Sequence, residues 1–176
     1  MDQKALFLDR DGVVNIDFGY VYKIDNFVFI DGIFKLVRYA KLNGFLIFII
    51  TNQSGIGRGY YSINDFNVLS SWMMEQFKKR RAEVKKIYFS PYHPTEGKGQ
   101  FRRNDFSRKP NPGMILQASK EYNLDLKKSV LVGDKMSDIE AGERAGVGVN
   151  ILLTKNKKHD RNQSATSLEE ILKYLE

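Results

Sequence analysis

Five short apolar runs, at 5–8, 45–50, 87–89, 129–132 and 147–152, alternate with stretches of helical period at 32–42, 64–79, 112–122 and 137–145. Each run is flanked by polar residues or glycine and suits a strand covered on both faces. Strands separated by helices need crossover connections, and crossovers give a parallel sheet with helices on both sides. The expected fold is α/β, a single doubly wound domain with a mainly parallel, Rossmann-like sheet, ending in a helix at 168–175. The punctuation agrees. Ser62 with Asp65 three residues on resembles a capping box, Asn111 before Pro112 suits an N-cap followed by proline at N1, and Gly44 and Gly146 suit helix ends. A chain of 176 residues has room for one domain, 1–176, and no linker or repeat marks a second, so no separate cap domain is expected. Two stretches break the rhythm, 11–30 and 91–109, and loops that long in a compact domain are usually functional.

Open parallel sheets bind ligands outside the carboxyl ends of their strands, where strand order reverses. The residues that follow three of the strands are Asp9-Arg10-Asp11-Gly12, Thr51-Asn52-Gln53-Ser54-Gly55 and Gly133-Asp134-Lys135, and Arg108-Lys109-Pro110 precedes a helix that starts from the same edge. Asp9 and Asp11 are two residues apart at a strand end, so both side chains can face one side. With Asp134 they supply hard oxygen donors, which suit magnesium better than zinc or copper. One carboxylate can move protons while another attacks phosphorus to give an aspartyl-phosphate. Thr51, Asn52 and the amides around Ser54 and Gly55 offer neutral donors to phosphate oxygens, and Lys109 offers a positive charge. Singly, each feature has an ordinary explanation: a surface turn for D-x-D, a flexible turn for Gly55, Gly57 and Gly59, a solvated cation for Lys109, helix N-terminal acids for Asp134 and Asp138. The argument rests on their coincidence at three strand ends.

Composition removes several alternatives. Without cysteine there is no disulfide framework, thiolate metal site or cysteine nucleophile, and His93 and His159 alone cannot build a zinc site. No apolar stretch approaches the length of a membrane span, and acidic residues interrupt the first apolar run, so neither membrane association nor a signal peptide is expected. A cytoplasmic protein follows as the expectation. Net charge is +7, and the window 78–109 holds eleven basic against three acidic residues, a local +8 that favours an anionic partner. Both nucleic acid and a phosphorylated small molecule satisfy that charge.

The motifs FLDRDGVVN from Phe7, TNQSGIGRG from Thr51, RKPNPGM from Arg108 and VGDKMSD from Val132 resemble those of the haloacid dehalogenase superfamily of phosphatases. Within it, with GYVYKIDNFVFIDG from Gly19, the chain is similar to the branch acting on the 7-phosphate of D-glycero-D-manno-heptose 1,7-bisphosphate, over residues 6–153. The resemblance implies a magnesium-dependent phosphomonoester hydrolase in heptose supply for bacterial surface polysaccharide. Asp9 would be the nucleophile and Asp11 the general acid and base. Asp9, the Asp11 backbone carbonyl and Asp134 would hold Mg2+. Thr51 and Lys109 would stabilise the phosphoryl group. Asp17, Phe18, Gly19, Tyr20, Asn52, Gln53, Ser54, Arg108 and Lys135 match substrate positions, with Arg108 on the unreacted phosphate. Asp138 matches an acidic superfamily position without an assigned role.

One departure stands out. Relatives usually carry zinc in a loop after the third strand, on C-x-H and C-x-C ligands, where this chain has Ser90, Tyr92, Asp105 and Ser107. No structural zinc is expected, and the loop 91–107 must be held by packing and hydrogen bonds or be mobile. Two related readings remain open, a histidinol-phosphate phosphatase and a nucleic-acid 3′-end phosphatase. The +8 window suits the latter, but it has few aromatics placed for base stacking. A catalytically silent binding protein is a third, against which the intact acids argue. The expected partner is a small phosphorylated sugar rather than nucleic acid, and the expected state is a monomer.

Overall fold

A computed structural model describes residues 3–155 and 163–176. His159 lies outside the described residues. The strands β1 (Lys4–Leu8), β2 (Phe45–Asn52), β3 (Lys86–Ser90), β4 (Val130–Gly133), β5 (Val149–Leu153) and β6 (Gln163–Ala165) form one sheet in the order β3-β2-β1-β4-β5-β6. Every neighbouring pair is parallel. The order reverses between β1 and β4, whose register runs from Leu6 opposite Val130 to Leu8 opposite Val132. The helices are α1 (Ile33–Leu42), the short α2 (Ser54–Arg58), α3 (Ile63–Lys79), α4 (Gly113–Tyr122) and α5 (Met136–Ala145).

Period-two geometry in β1 divides the core. Leu6 and Leu8 face a layer with Leu36 and Val37 of α1 and Leu69, Met73 and Phe77 of α3, while Ala5 and Phe7 face Met114, Ile115 and Ala118 of α4 and Ile139 of α5. The central strands are thus apolar on both sides, as the continuous runs require.

Ser62 caps α3 as expected, accepting from the Asp65 N–H at 3.1 Å while Asp65 accepts from the Ser62 N–H at 2.8 Å. Three details differ from the sequence reading. Pro112, not Asn111, stands at the N-cap of α4, because the Asn111 amide donates to the Asp105 carbonyl and folds the preceding turn instead. The chain ends in a 3-10 helix, Glu169–Tyr174, rather than an α-helix over 168–175. β6 and α2 carry no apolar run or helical period long enough to announce them.

The basic window 78–109 is divided by β3. Lys78, Lys79, Arg80, Arg81, Lys85 and Lys86 lie at or before its start, while Lys98, Arg102, Arg103, Arg108 and Lys109 come after its end. Five residues of strand separate the two groups by roughly 16 Å. Only the second group shares the carboxyl edge with the acidic residues. Among the described residues, no helix is long and apolar enough to cross a membrane.

Candidate active site

Asp9 leaves β1 at the point where strand order reverses, its N–H still bonded to the Val132 carbonyl of β4 at 3.0 Å. Lys109 arrives from the loop before α4 and is buried. Its ammonium donates to Asp9 Oδ1 at 2.7 Å and to the Ile50 carbonyl at 3.0 Å, and it pairs with Asp138 Oδ1 at 2.6 Å. Those three partners match the three donors of a lysine. Burial opposes the charge on Lys109, but the Asp9 and Asp138 carboxylates outweigh it and hold the ammonium above its ordinary value.

Asp9, Asp134 and Asp138 bring carboxylate oxygens within 4.8 Å of one another. Three carboxylates face one buried ammonium, and burial pushes Asp9 and Asp134 up from the usual carboxylate range despite the nearby lysines. Asp134 Oδ1 is buried and has no hydrogen-bond partner. Gly12, at φ 93°, makes room for this carboxylate, since a Cβ there would lie 2.3 Å from Asp134 Oδ2. An oxygen-only set with a surplus of negative charge and an unpartnered atom fits a hard divalent cation. Asp138 is otherwise engaged, with Oδ1 on Lys109 and Oδ2 accepting from the Lys135 N–H at 3.0 Å.

The Asp11 side chain lies outside this trio. Its Oδ1 accepts from Arg10 at 2.7 Å and Asn15 Nδ2 at 3.0 Å, and its Oδ2 accepts from Arg10 at 2.9 Å and Gln53 Nε2 at 3.1 Å. The carboxylate that joins Asp9 and Asp134 is that of Asp138, while the Asp11 side chain is taken up by Arg10, Asn15 and Gln53, in keeping with the expectation that Asp11 would serve a metal through its backbone carbonyl. Arg10 is fully buried and also donates to the Val21 carbonyl at 2.6 Å, tying Asp11 to the loop 11–30.

Thr51, Asn52 and Gln53 close the end of β2. Both ends of the Asn52 amide meet the Lys109 backbone, giving to its carbonyl and taking from its N–H, each at 3.0 Å. Gln53 is buried and donates to Thr51 Oγ1 at 2.8 Å while accepting from the Tyr61 hydroxyl at 2.5 Å. The Asn52 and Gln53 side chains, expected as substrate contacts, hold Lys109, Thr51 and Asp11 in place. Ser54, half-buried, begins α2.

The other expected substrate residues form the rim. Asp17 accepts from the Gly19 N–H at 2.9 Å and meets Lys135 Nζ at 3.3 Å, Phe18 and Tyr20 are exposed, and Tyr20 packs edge-on to Tyr60. Arg108 donates to the Tyr92 carbonyl at 3.0 Å, and burial and the neighbouring Arg58 charge push its guanidinium down. Arg58 pairs with Glu96.

Of the four positions matched above to a zinc-ligand pattern, Ser90, Asp105 and Ser107 are linked by hydrogen bonds, and Tyr92 joins them through Arg103. Ser107 Oγ lies 3.0 Å from Ser90 Oγ and 2.6 Å from Asp105 Oδ1, Arg103 pairs with Asp105 at 2.9 Å, and the Arg103 guanidinium lies 4.1 Å from the Tyr92 ring centre. Hydrogen bonds and one cation–π contact hold this loop. His93 Nδ1 accepts from the Glu96 N–H at 3.0 Å, a turn contact.

Sequence reasoning did not single out Asn15 or Tyr61, gave Arg10 no task and left Asp138 open. A charged residue inside a D-x-D at a strand end was the available signal for Arg10, since it must be paired if buried. For Tyr61 no local signal exists.

A HAD-hydrolase-like family model matches residues 106–175. The chain is 50% identical to a D-glycero-alpha-D-manno-heptose-1,7-bisphosphate 7-phosphatase of Burkholderia mallei, over 98% of this chain and 90% of that one. It is 46% identical to a D-glycero-beta-D-manno-heptose-1,7-bisphosphate 7-phosphatase of Haemophilus influenzae, over 88% and 83%. In structure it is similar to the D,D-heptose 1,7-bisphosphate phosphatase of B. bronchiseptica complexed with magnesium and phosphate, with a TM-score of 0.84, 25% identity and 98% of each chain covered.

Proposed function

The chain belongs to the heptose bisphosphate phosphatases of the haloacid dehalogenase superfamily and is a phosphomonoester hydrolase; from that premise we propose that it removes the 7-phosphate of D-glycero-D-manno-heptose 1,7-bisphosphate with magnesium, through an aspartyl-phosphate. The observation that carries this reading is the pairing of Asp9 with Lys109 beside the unpartnered Asp134 oxygen at the reversal of strand order.

Asp9 attacks phosphorus, the bond to the sugar oxygen breaks, and Asp11 gives that oxygen its proton. Asp11 then takes a proton from the water that attacks the aspartyl-phosphate, which releases inorganic phosphate and restores both acids. Lys109 and Thr51 stabilise the charge on the transferring group. Asp9, the Asp11 backbone carbonyl and Asp134 would hold magnesium, which would further neutralise that charge. Arg108, with Arg58 close enough to lower its pKa, offers a concentrated positive charge for a second phosphate. Asp17, Phe18, Gly19, Tyr20, Ser54 and Lys135 frame the sugar. The loop 91–107 needs no zinc, because Ser90, Asp105 and Ser107 bond to one another. The enzyme works as a monomeric single domain, 1–176, in the cytoplasm, in heptose supply for surface polysaccharide.

The test is phosphate release in magnesium on heptose 1,7-bisphosphate, histidinol phosphate and a 3′-phosphorylated oligonucleotide, compared by kcat/KM. The heptose bisphosphate should lead. A ranking led by either other substrate overturns the substrate assignment, and one equivalent of zinc in chelated protein overturns the zinc-free loop.

A further inference from the structure

A primary amide has two ends of nearly equal shape and opposite hydrogen-bonding character, so a buried glutamine must be told which way to face. Gln53 is 2% exposed and sits between three polar groups. Its Nε2 hydrogens go to Thr51 Oγ1 at 2.8 Å and Asp11 Oδ2 at 3.1 Å, and its Oε1 accepts from the Tyr61 hydroxyl at 2.5 Å. Turned over, the amide would set its oxygen against the Asp11 carboxylate and leave Thr51 without a donor.

Tyr61 comes to this point on a rigid mount. Its ring stacks on Tyr22 with centroids 5.1 Å apart and planes 6° from parallel, and it joins Ile56 and Phe66 in an apolar cluster of its own. It also lies against Gly55, where a Cβ would be 2.2 Å from its Cε1 atom. Burial pushes the phenol pKa up, so the hydroxyl stays protonated and remains a donor.

We propose that Tyr61 and Gln53 are a pair of positioning residues that set the direction of the hydrogens around the reaction centre. The chain of donation runs from the Tyr61 O–H to Gln53 Oε1, and from Gln53 Nε2 to Thr51 Oγ1 and to Asp11. Because the Thr51 oxygen accepts from Gln53, its own proton is left to point at the transferring phosphoryl group. The same amide holds the Asp11 carboxyl at a fixed place beside it. Both side chains act through Thr51 and Asp11, the groups they hold. The proposal rests on the roles given above to Thr51 and Asp11.

The test measures kcat and KM on heptose 1,7-bisphosphate for Tyr61→Phe, Gln53→Ala, the double variant and Gln53→Glu, with Asp9→Asn in parallel. Tyr61→Phe keeps the ring and removes one donor, so kcat should fall about tenfold with KM within about twofold. In the Gln53→Ala background the same change should have no further effect, because Tyr61 acts only through Gln53. Gln53→Glu keeps the shape but sets an acceptor against Asp11 and Thr51, and should lower kcat by about a hundredfold or more. Additive losses, or wild-type kcat in both Tyr61→Phe and Gln53→Glu, overturn the pairing. If those variants are intact while Asp9→Asn is dead, positioning alone fails. If Asp9→Asn retains turnover, the reading of the reaction centre fails and the pairing with it.

Discussion

At the floor of the site Asp9, Lys109 and Asp138 have side chains at most 8% exposed and pair at 2.7 and 2.6 Å, whereas at the rim Asp17 and Lys135 meet at 3.3 Å with side chains 34% and 58% exposed. The chemistry of the two pairs is the same and their physics is not. Charges removed from water interact strongly and tolerate no missing partner. Charges at the surface are screened, and their pairing contributes little to stability. The floor can therefore be set in advance, while the rim can rearrange at small cost.

The largest expected effect tests the floor directly. Asp9→Asn should lower kcat by roughly a thousandfold or more, since it removes the proposed nucleophile while keeping the shape, and a phosphate-release assay reads it. Next comes Lys109→Met in chelated protein, which leaves Asp9 and Asp138 buried without their cation. It should cost about 3–5 kcal/mol of stability, seen as a lower urea midpoint. A shift below about 1 kcal/mol would mean that the floor behaves like a surface pair and would dissolve the contrast.

Between floor and rim stands Arg108, half-buried and bonded to the Tyr92 carbonyl. Arg108→Ala should raise KM for the bisphosphate by about ten- to a hundredfold and leave turnover of para-nitrophenyl phosphate, which has no second phosphate, nearly unchanged. Equal losses on both substrates would move Arg108 into the floor. The smallest effect belongs to the rim, where Lys135→Met should change stability by less than about 0.5 kcal/mol and KM by only a few-fold. A thermal melt and a substrate titration check both.

The same contrast explains what was legible in the sequence. Asp9, Thr51 and Asp134 could be picked out because each stands one or two residues beyond an apolar run, and parallel sheets gather such residues at one edge. The alternation that revealed five strands was silent about β6, because Gln163-Ser164-Ala165 presents no apolar run. What could not be read was who holds whom. Lys109 and Asp9 are 100 residues apart, Asn52 and Lys109 are 57 apart, and the buried lysine looks in sequence like any solvated one. Arg10 was visible as a charge, but its bond to the Val21 carbonyl depends on the course of the loop 11–30. Tyr61 reads as an ordinary aromatic until the amide of Gln53 is in place.

The pairing of β1 with β4 joins Leu6 to Val130 across most of the chain, and Asp9 borrows its hydrogen-bond partner from the same strand. During synthesis, Asp9 emerges more than a hundred residues before Asp134 and Asp138. A nascent chain therefore carries the proposed nucleophile long before the strand that completes its site, and should acquire turnover only when this long-range contact closes. Recovery of activity during refolding should accordingly trail the formation of local helix and follow the slow, non-local step.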